Sequence, residues 1–462
     1  MKKKAQTTKK QKNKKNKVSV DQNWEPINPH AAGMDVGSRE HWVALPADRA
    51  GEKVRRFGAL TPDLEALADW LKAAGVTSVA MEATGVYWIA PFQVLERRGF
   101  KVLLVNAKQT KHVSGRKSDV LDCQWIQRLH TYGLLGGSFR PADPYCVVRS
   151  LLRYQGELVA ARSVQIQHMQ KALLQMNLQL GHVISDLSGE SGLAILGAIL
   201  EGERNPLKLA ALAHQRIHSS REQIAKALIG DYRSEHLFVL KTAFELYHVY
   251  EAKITACVEE LGRELSHLPD RVNVAAKPLP PKAKGKKIDE ALRLGLYQKM
   301  GVDLTAIEGI GATAALTMLT EVGPDLSGFK TEKHFTSWLG LCPDNRISGG
   351  KVLSSHTRPV VNRLSDSLRL SAAALEHSAS ALGAYHRRMK AKLGAAEGIT
   401  ATAHKLARIL YRLVKHGEDY VREGLEKYEQ KYQEQRLKRL QKQAQSLGFQ
   451  LVEAQTVAAA VS

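Results

Sequence analysis

Cysteine is scarce in this chain: Cys123, Cys146, Cys257 and Cys342 are the only ones among 462 residues. No two have the short spacing of metal ligands, and so few thiols in so long a chain point to a reducing compartment. Long apolar runs are missing too. None reaches the roughly 18 residues needed to span a bilayer, and the basic N-terminus is followed by a polar stretch, Val18 to His30, where a secretion signal would have an apolar core. A soluble, cytoplasmic protein with no membrane partner is therefore expected. There is no Gly-x-Ser-x-Gly elbow and no Gly-Lys-Ser/Thr phosphate loop. His214 and His218 stand four apart but lack an intervening Glu and a third ligand, so they read as a polar helix face.

Acid is short as well. Lys and Arg number 67 against 46 Asp and Glu, a formal charge of +21. Such a surplus favours a polyanion, nucleic acid before anionic membrane. It is concentrated in nine lysines from Lys2 to Lys17 and in Lys277, Lys282, Lys284, Lys286 and Lys287 among Pro278, Pro280 and Pro281. Both stretches are too polar to fold alone and read as arm and linker.

The remaining chain is long enough for two or three domains. From Ala31 it alternates as an α/β domain does. A strand is expected over Gly33–Leu45, then a helix opened by Thr61 and Pro62 with Leu64, Leu67, Ala68 and Leu71 inward and Gly75 at its end. Strands over Ser78–Glu82 and Lys101–Val105 flank a helix over Tyr87–Arg98, and a last helix places Leu121, Trp125 and Leu129 inward. Beyond Pro144 the pattern becomes heptad-like: Val148, Leu152, Val159, Ile166, Met169 and Leu173 in one seam, Leu237, Leu240, Phe244, Tyr247, Ile254 and Val258 in another. A coiled-coil arm follows, folded back on itself or paired with another copy. The expected order is a basic arm (1–30), an α/β carboxylate domain (31–145), a helical coiled-coil region (146–266), a Pro/Lys linker (267–302), a mostly helical domain (303–424) and a charged helical tail (425–462). The fold class is α/β plus all-α.

Three constellations could carry chemistry. In Gly115–Asp122, Ser118 is placed to cap a helix, and Asp119 and Asp122 then project from one face three residues apart. Asp35, within the first strand, and Glu82, at the end of a later one, are costly there unless paired or metal-bound. Four carboxylates at one sheet edge suit Mg²⁺ and phosphoryl transfer; the bland reading is two strand-end caps and a solvated helix start. Gly309-Ile310-Gly311 reads as a turn between two short helices, able to hold a phosphate on backbone N–H groups as a helix-hairpin-helix does. It also fits a dinucleotide fingerprint, which lacks its preceding strand and its acid about 20 residues on. In Asn345–Lys351, Ser348 precedes two glycines between Arg346 and Lys351. It is a candidate nucleophile with nearby cations, or a simple turn.

Taken in order, Asp…Glu…Asp-x-x-Asp, a heptad arm, a hairpin turn and Ser-Gly-Gly-Lys resemble the bacterial transposases of the insertion-sequence one-ten family, the DEDD or bridge-RNA-guided recombinases. The resemblance covers about residues 31–424 and rests most on Gly115–Asp122, on Trp338–Ser355 and on Ala401–Ala407. It implies a RuvC-like, RNase H-type N-terminal domain with Asp35, Glu82, Asp119 and Asp122 holding Mg²⁺. It also implies a C-terminal transposase domain whose Ser348 attacks DNA and stays joined to it through a phosphate. Partners would be donor and target DNA, an element-encoded guide RNA, and further copies of the chain in dimers and tetramers sharing active sites. Arg116 and Lys117, on the loop beside the acids, Gly309 and Gly311 at the turn, and Arg346 and Lys351 beside Ser348 are the expected nucleic-acid contacts. The Lys2–Lys17 arm and Lys277–Lys287 linker are outside the pattern. Two other readings start from the same residues: a junction-resolving nuclease that uses the carboxylates and water, and a non-catalytic nucleic-acid scaffold.

Overall fold

Alternation along the strands decides what faces what in the N-terminal part. The computed structural model describes residues 25–49, 51–110, 118–282 and 288–450. The chain divides into two units, Met1–Arg140 and Pro141–Ser462. The first holds β1 (Ala31–Val36), β2 (Glu40–Ala44), β3 (Val54–Gly58), α1 (Thr61–Ala73), β4 (Ser78–Glu82), α2 (Ile89–Arg97), β5 (Lys101–Val105), α3 (Ala107–Thr110) and α4 (Asp119–Thr131). The strands form one sheet in the order β3-β2-β1-β4-β5; β1, β2 and β3 are antiparallel neighbours, while β1, β4 and β5 run parallel.

Ala32, Met34 and Val36 of β1 and Val79 and Met81 of β4 join Leu64, Leu67 and Leu71 of α1 and Phe92 and Leu95 of α2 in one apolar core. Because successive side chains point to opposite faces, Gly33 and Asp35, and Ser78 and Glu82, belong to the other face. That face carries α4. Gly33 lets it approach: a Cβ there would lie 2.1 Å from the Gln127 backbone nitrogen and 2.4 Å from the Cys123 carbonyl oxygen. The far end of α4 is pinned by His130 Nε2, 3.0 Å from Ser78 Oγ, and by Gln127 Nε2 donating to the Ala31 carbonyl at 3.3 Å.

Several expectations need correcting. The single strand over Gly33–Leu45 is two, β1 and β2, reversed at Gly37, whose N–H meets the Glu40 carbonyl at 3.1 Å. β3 was not foreseen, because only Phe57 in it is buried and Arg55 and Arg56 face water, as edge strands do. The inward residues of α4 are Cys123, Ile126 and His130, while Leu121 is exposed; the close approach at Gly33 admits a small side chain, not a Leu or Trp stripe. Leu60, not Thr61, is the N-cap of α1, its N–H donating to Asp63 Oδ2 at 3.3 Å. The inward set of α1, its end at Gly75 and the spans of β4 and β5 are as expected.

The second unit is helical: α5 (Asp143–Gln175), α6 (Leu180–Val183), α7 (Glu190–Leu200), α8 (Pro206–Ala211), α9 (Arg221–Ala227), α10 (Ser234–His267), α11 (Glu290–Met300), α12 (Ala312–Glu321), α13 (Glu332–Trp338), the hairpin strands β6 (Arg346–Ser348) and β7 (Lys351–Ser354), then α14 (Arg363–Ala373), α15 (Ala381–Leu393), α16 (Ala395–His416) and α17 (Glu418–Ser446). Helices α5 and α10 run in opposite directions along each other within the chain. Cys257 Sγ meets the Leu151 carbonyl at 3.6 Å near one end and Arg162 pairs with Glu251 midway. At the other end Met169, Leu173 and Met176 share a core with Leu240, Ala243 and Tyr247, into which α6 to α9 also pack. Residues 268–282 are more tied down than a free linker. Lys299 Nζ donates to the Leu268 carbonyl at 2.5 Å, Arg293 Nη2 to the Pro280 carbonyl at 2.7 Å, and the buried Arg293 pairs with Asp303 at 2.5 Å. Among the described residues no helix is long and apolar enough to cross a membrane.

Candidate active site

The acids are gathered by the sheet. Met34 pairs with Met81 across the parallel strands, so Asp35 and Glu82, one residue further on, are neighbours at the carboxyl edge of β1 and β4, where ligands of parallel sheets bind. Alternation turns both toward α4. The first turn of α4 supplies Asp119 and Asp122, with Ser118 as N-cap, its Oγ accepting the Leu121 N–H at 3.3 Å. The Asp35 carboxyl is pushed up to about 6, first by burial and then by repulsion from Asp119, Asp122 and Glu82 in turn; the Val36 N–H opposes this only in part. The four carboxylates are therefore near enough to act on one another. They do not converge to coordination distance: among the described residues no three acid, His or Cys side chains are close enough to hold a metal ion. Their chemistry suits a hard divalent cation, being all oxygen with no usable thiolate, since burial and Asp35 push Cys123 up to about 12.

Glu82 is oriented by two hydroxyls that the sequence did not mark out. Thr110 Oγ1 donates to its Oε2 at 2.7 Å and Thr84 Oγ1 to its Oε1 at 3.1 Å. Thr84, two residues after Glu82, could have been suspected; Thr110 is brought in by the turn through α3. Gly115, Arg116 and Lys117 lie outside the described residues, as do the Lys2–Lys17 arm and Lys284, Lys286 and Lys287.

Ser348 belongs to the second unit. It ends β6, pairs with Lys351, and is followed by Gly349 and Gly350 at φ 53° and 77°. Two positive φ values in a two-residue loop make a tight hairpin turn of the kind that matches strand twist. All of β6 is exposed, and Ile347 and Leu353 stand 62% and 69% exposed. Among the described residues no base is hydrogen-bonded to Ser348. Arg346 pairs with Ser354 across the hairpin and Lys351 is the cross-strand neighbour of Ser348, so one strand pair carries all three. At Gly309–Gly311 a short 3₁₀ turn, Leu304–Ala306, leads into α12 with Gly311 as N-cap. Gly309 has φ 84° and packs on the Ser371 carbonyl, where a Cβ would be 3.0 Å away. Gly311 has open space beside it.

Residues 32–178 match the DEDD transposase model of the IS110 family, and residues 303–387 match the model described as transposase of the IS116/IS110/IS902 family. By these two domains the chain belongs to the IS110 transposase family. All four acids fall in the first match and Ser348 in the second. The chain is also similar to a Sinorhizobium fredii transposase candidate, y4pF/y4sB, with 32% identity over 146 residues, or 29% of this chain. It spans 36% of that relative's length. Helix α17 lies beyond both matched ranges.

Proposed function

We propose that this IS110-family chain is a DNA transposase and site-specific recombinase that cuts and rejoins DNA through Ser348. The observation that carries the reading is the gathering of Asp35, Glu82, Asp119 and Asp122 at one sheet edge, where burial first and then the other three carboxylates push the Asp35 carboxyl up to about 6. Structure alone gains nothing from such repulsion; a site built to receive positive charge does. The mixed sheet with its acids at the carboxyl edge supports the RuvC-like, RNase H-type reading. A divalent cation such as Mg²⁺, when bound, would neutralise and orient the scissile phosphate. The chain's own residues do the rest. Ser348 Oγ attacks phosphorus; a serine–DNA phosphodiester forms as a DNA phosphodiester breaks, and the serine proton leaves to solvent or to the departing sugar oxygen. Arg346 and Lys351 steady the phosphate oxygens. Rejoining is the reverse, with a DNA hydroxyl displacing Ser348.

An exposed serine needs a completed surrounding. The apolar Ile347, Val352 and Leu353 left in water on the same hairpin support a site closed by substrate or by another copy of the chain, as the resemblance implies. Gly309 and Gly311 present the N-terminus of α12 to a DNA phosphate, in the manner of a helix-hairpin-helix. The +21 charge supports nucleic-acid partners, with donor and target DNA selected by a guide RNA in the family's manner.

The test is to incubate the protein with element-end DNA, the flanking transcript and Mg²⁺ and look for DNA covalently attached to protein. Adduct and joined product are expected. Cutting without adduct would favour a resolvase-like nuclease using water, and binding without cutting would favour a scaffold.

A further inference from the structure

The tail helix α17 is docked at its start and leaves a basic groove further on. Lys405 Nζ lies 3.7 Å from the centre of the Tyr428 ring and 4.2 Å from that of Tyr385, a cation held between two aromatic rings. Glu429 Oε2 accepts the Ala381 N–H at 2.8 Å, satisfying a donor at the N-terminus of α15 that the helix itself leaves unpaired. These contacts fix the register of α17 against α15 and α16. From Tyr432 onward α17 borders, with α15, a groove of about 450 Å³.

Arg387 and Arg388 line it from α15, and Tyr432, Arg436, Arg439 and Leu440 from α17. The spacing from Tyr432 to Arg436 and then to Arg439 and Leu440 puts these residues on one face of the helix. No carboxylate lines the groove. The acids Glu426, Glu429 and Glu434 line a different cleft of α17. A helix that merely needs solubility intermixes the signs at four-residue spacing; here they are segregated. Arg387 donates to the Glu376 and Ser378 carbonyls at 2.9 and 2.6 Å, which aims its guanidinium without neutralising it. Arg436 and Arg439 have no ion pair among the described residues.

We propose that this groove binds an unpaired DNA strand, phosphates on the arginines and bases against Tyr432 and Leu440. Guanidinium groups recognise phosphate by paired N–H donors, and an aromatic ring accepts a base of any sequence. A duplex keeps its bases stacked inside and would leave Tyr432 and Leu440 unused. An acidic peptide would meet the charges but bring no flat face. The choice of DNA rests on the transposase reading; the groove and its fit to a strand do not.

The experiment is fluorescence anisotropy of the full chain with labelled oligothymidylate of about 12 nucleotides, alongside a blunt duplex and an oligouridylate of equal length. No cleavage is measured, so the result is independent of Ser348 and the carboxylates. The double variant Arg436→Glu/Arg439→Glu should bind oligothymidylate about ten-fold or more weaker, with unchanged melting temperature. Lys438→Glu/Lys442→Glu, the same charge change on the neighbouring face, should cost about two-fold or less. Tyr432→Ala should weaken the single strand about five-fold or more and leave the duplex nearly unchanged. An unaffected groove variant, equal losses in the two charge variants, or an oligouridylate that binds tighter and alone depends on the groove would each overturn the proposal.

Discussion

Asp35 carries a cost that its burial and its acidic neighbours impose. Its ordinary value of 3.8 rises to about 6 in the fold. Below about pH 4 both folded and unfolded chains hold its proton, and well above 6 both have lost it. Between them the folded state binds more protons, so stability falls as pH rises through that window and stays low beyond it. Asp35→Asn should remove the fall and, because solvent screens part of the repulsion at this half-buried group, add ~1–2 kcal/mol at pH 7.5 without divalent cation. Hydrogen exchange of β1 and β4 amides in urea, at pH 4 and 7.5 in EDTA, measures it; a pH-independent wild type would contradict the clustering. Added Mg²⁺ should stabilise the wild type and have far less effect on Asp35→Asn. Thr110 gives a companion test. Thr110→Val removes the donor that orients Glu82 and should weaken Mn²⁺ or Mg²⁺ binding about 10–100-fold by calorimetry, with Thr110→Ser restoring most of it. Asp35 and Glu82 stood out in the sequence because acids in strands are costly. Thr110 did not, since an isolated threonine 28 residues after Glu82 has no local signature.

At the scale of elements, the site depends on how closely α4 can approach β1. Gly33→Ala would set a Cβ against the α4 backbone at 2.1 and 2.4 Å, with no flexible side chain to give way. The helix must move outward, carrying Asp119 and Asp122 with it. A loss of about 2–3 kcal/mol in stability and a near-complete loss of strand transfer are expected, the first by denaturant unfolding and the second by a recombination assay. In the hairpin, Gly350→Val forces a β-branched residue to φ near 77° and should cost about 1–2 kcal/mol locally, read as faster exchange of the β6 and β7 amides. Elements with a complete apolar pattern, such as β4 and α1, were legible. β3 was not, because an edge strand buries one residue in two at most. The inward face of α4 was misread because Leu121, Trp125 and Leu129 form the most apolar stripe, whereas the helix is seated by its smallest inward residue, Cys123, over a glycine. The Ser348 turn was legible from its two glycines, whereas the proposed role of Ser348 has no local support, since among the described residues no base is hydrogen-bonded to it.

At the scale of the whole molecule, distant parts of the second unit are tied together by a buried charge. Glu321 of α12 is 6% exposed and accepts from Arg153 Nε and Nη2 of α5 at 2.9 and 2.6 Å. Glu321→Ala would leave Arg153 beside Arg149 without their shared carboxylate; because Arg153 is 39% exposed and water can solvate it, the expected loss is about 1–2 kcal/mol, seen as an early denaturant transition. The charge surplus was plain in the composition, but its segregation on α17 appears only when the helix is seated on α15. The central claim, that Ser348 becomes joined to DNA, has a direct measurement. Trypsin cuts after Arg346 and Lys351, so a covalent complex trapped on element-end DNA and digested with nuclease and trypsin should yield the peptide Ile347–Lys351 bearing a nucleotide on Ser348 by mass spectrometry. Ser348→Ala should yield no adduct. A nucleotide on any other residue, or an adduct that survives Ser348→Ala, would contradict the account.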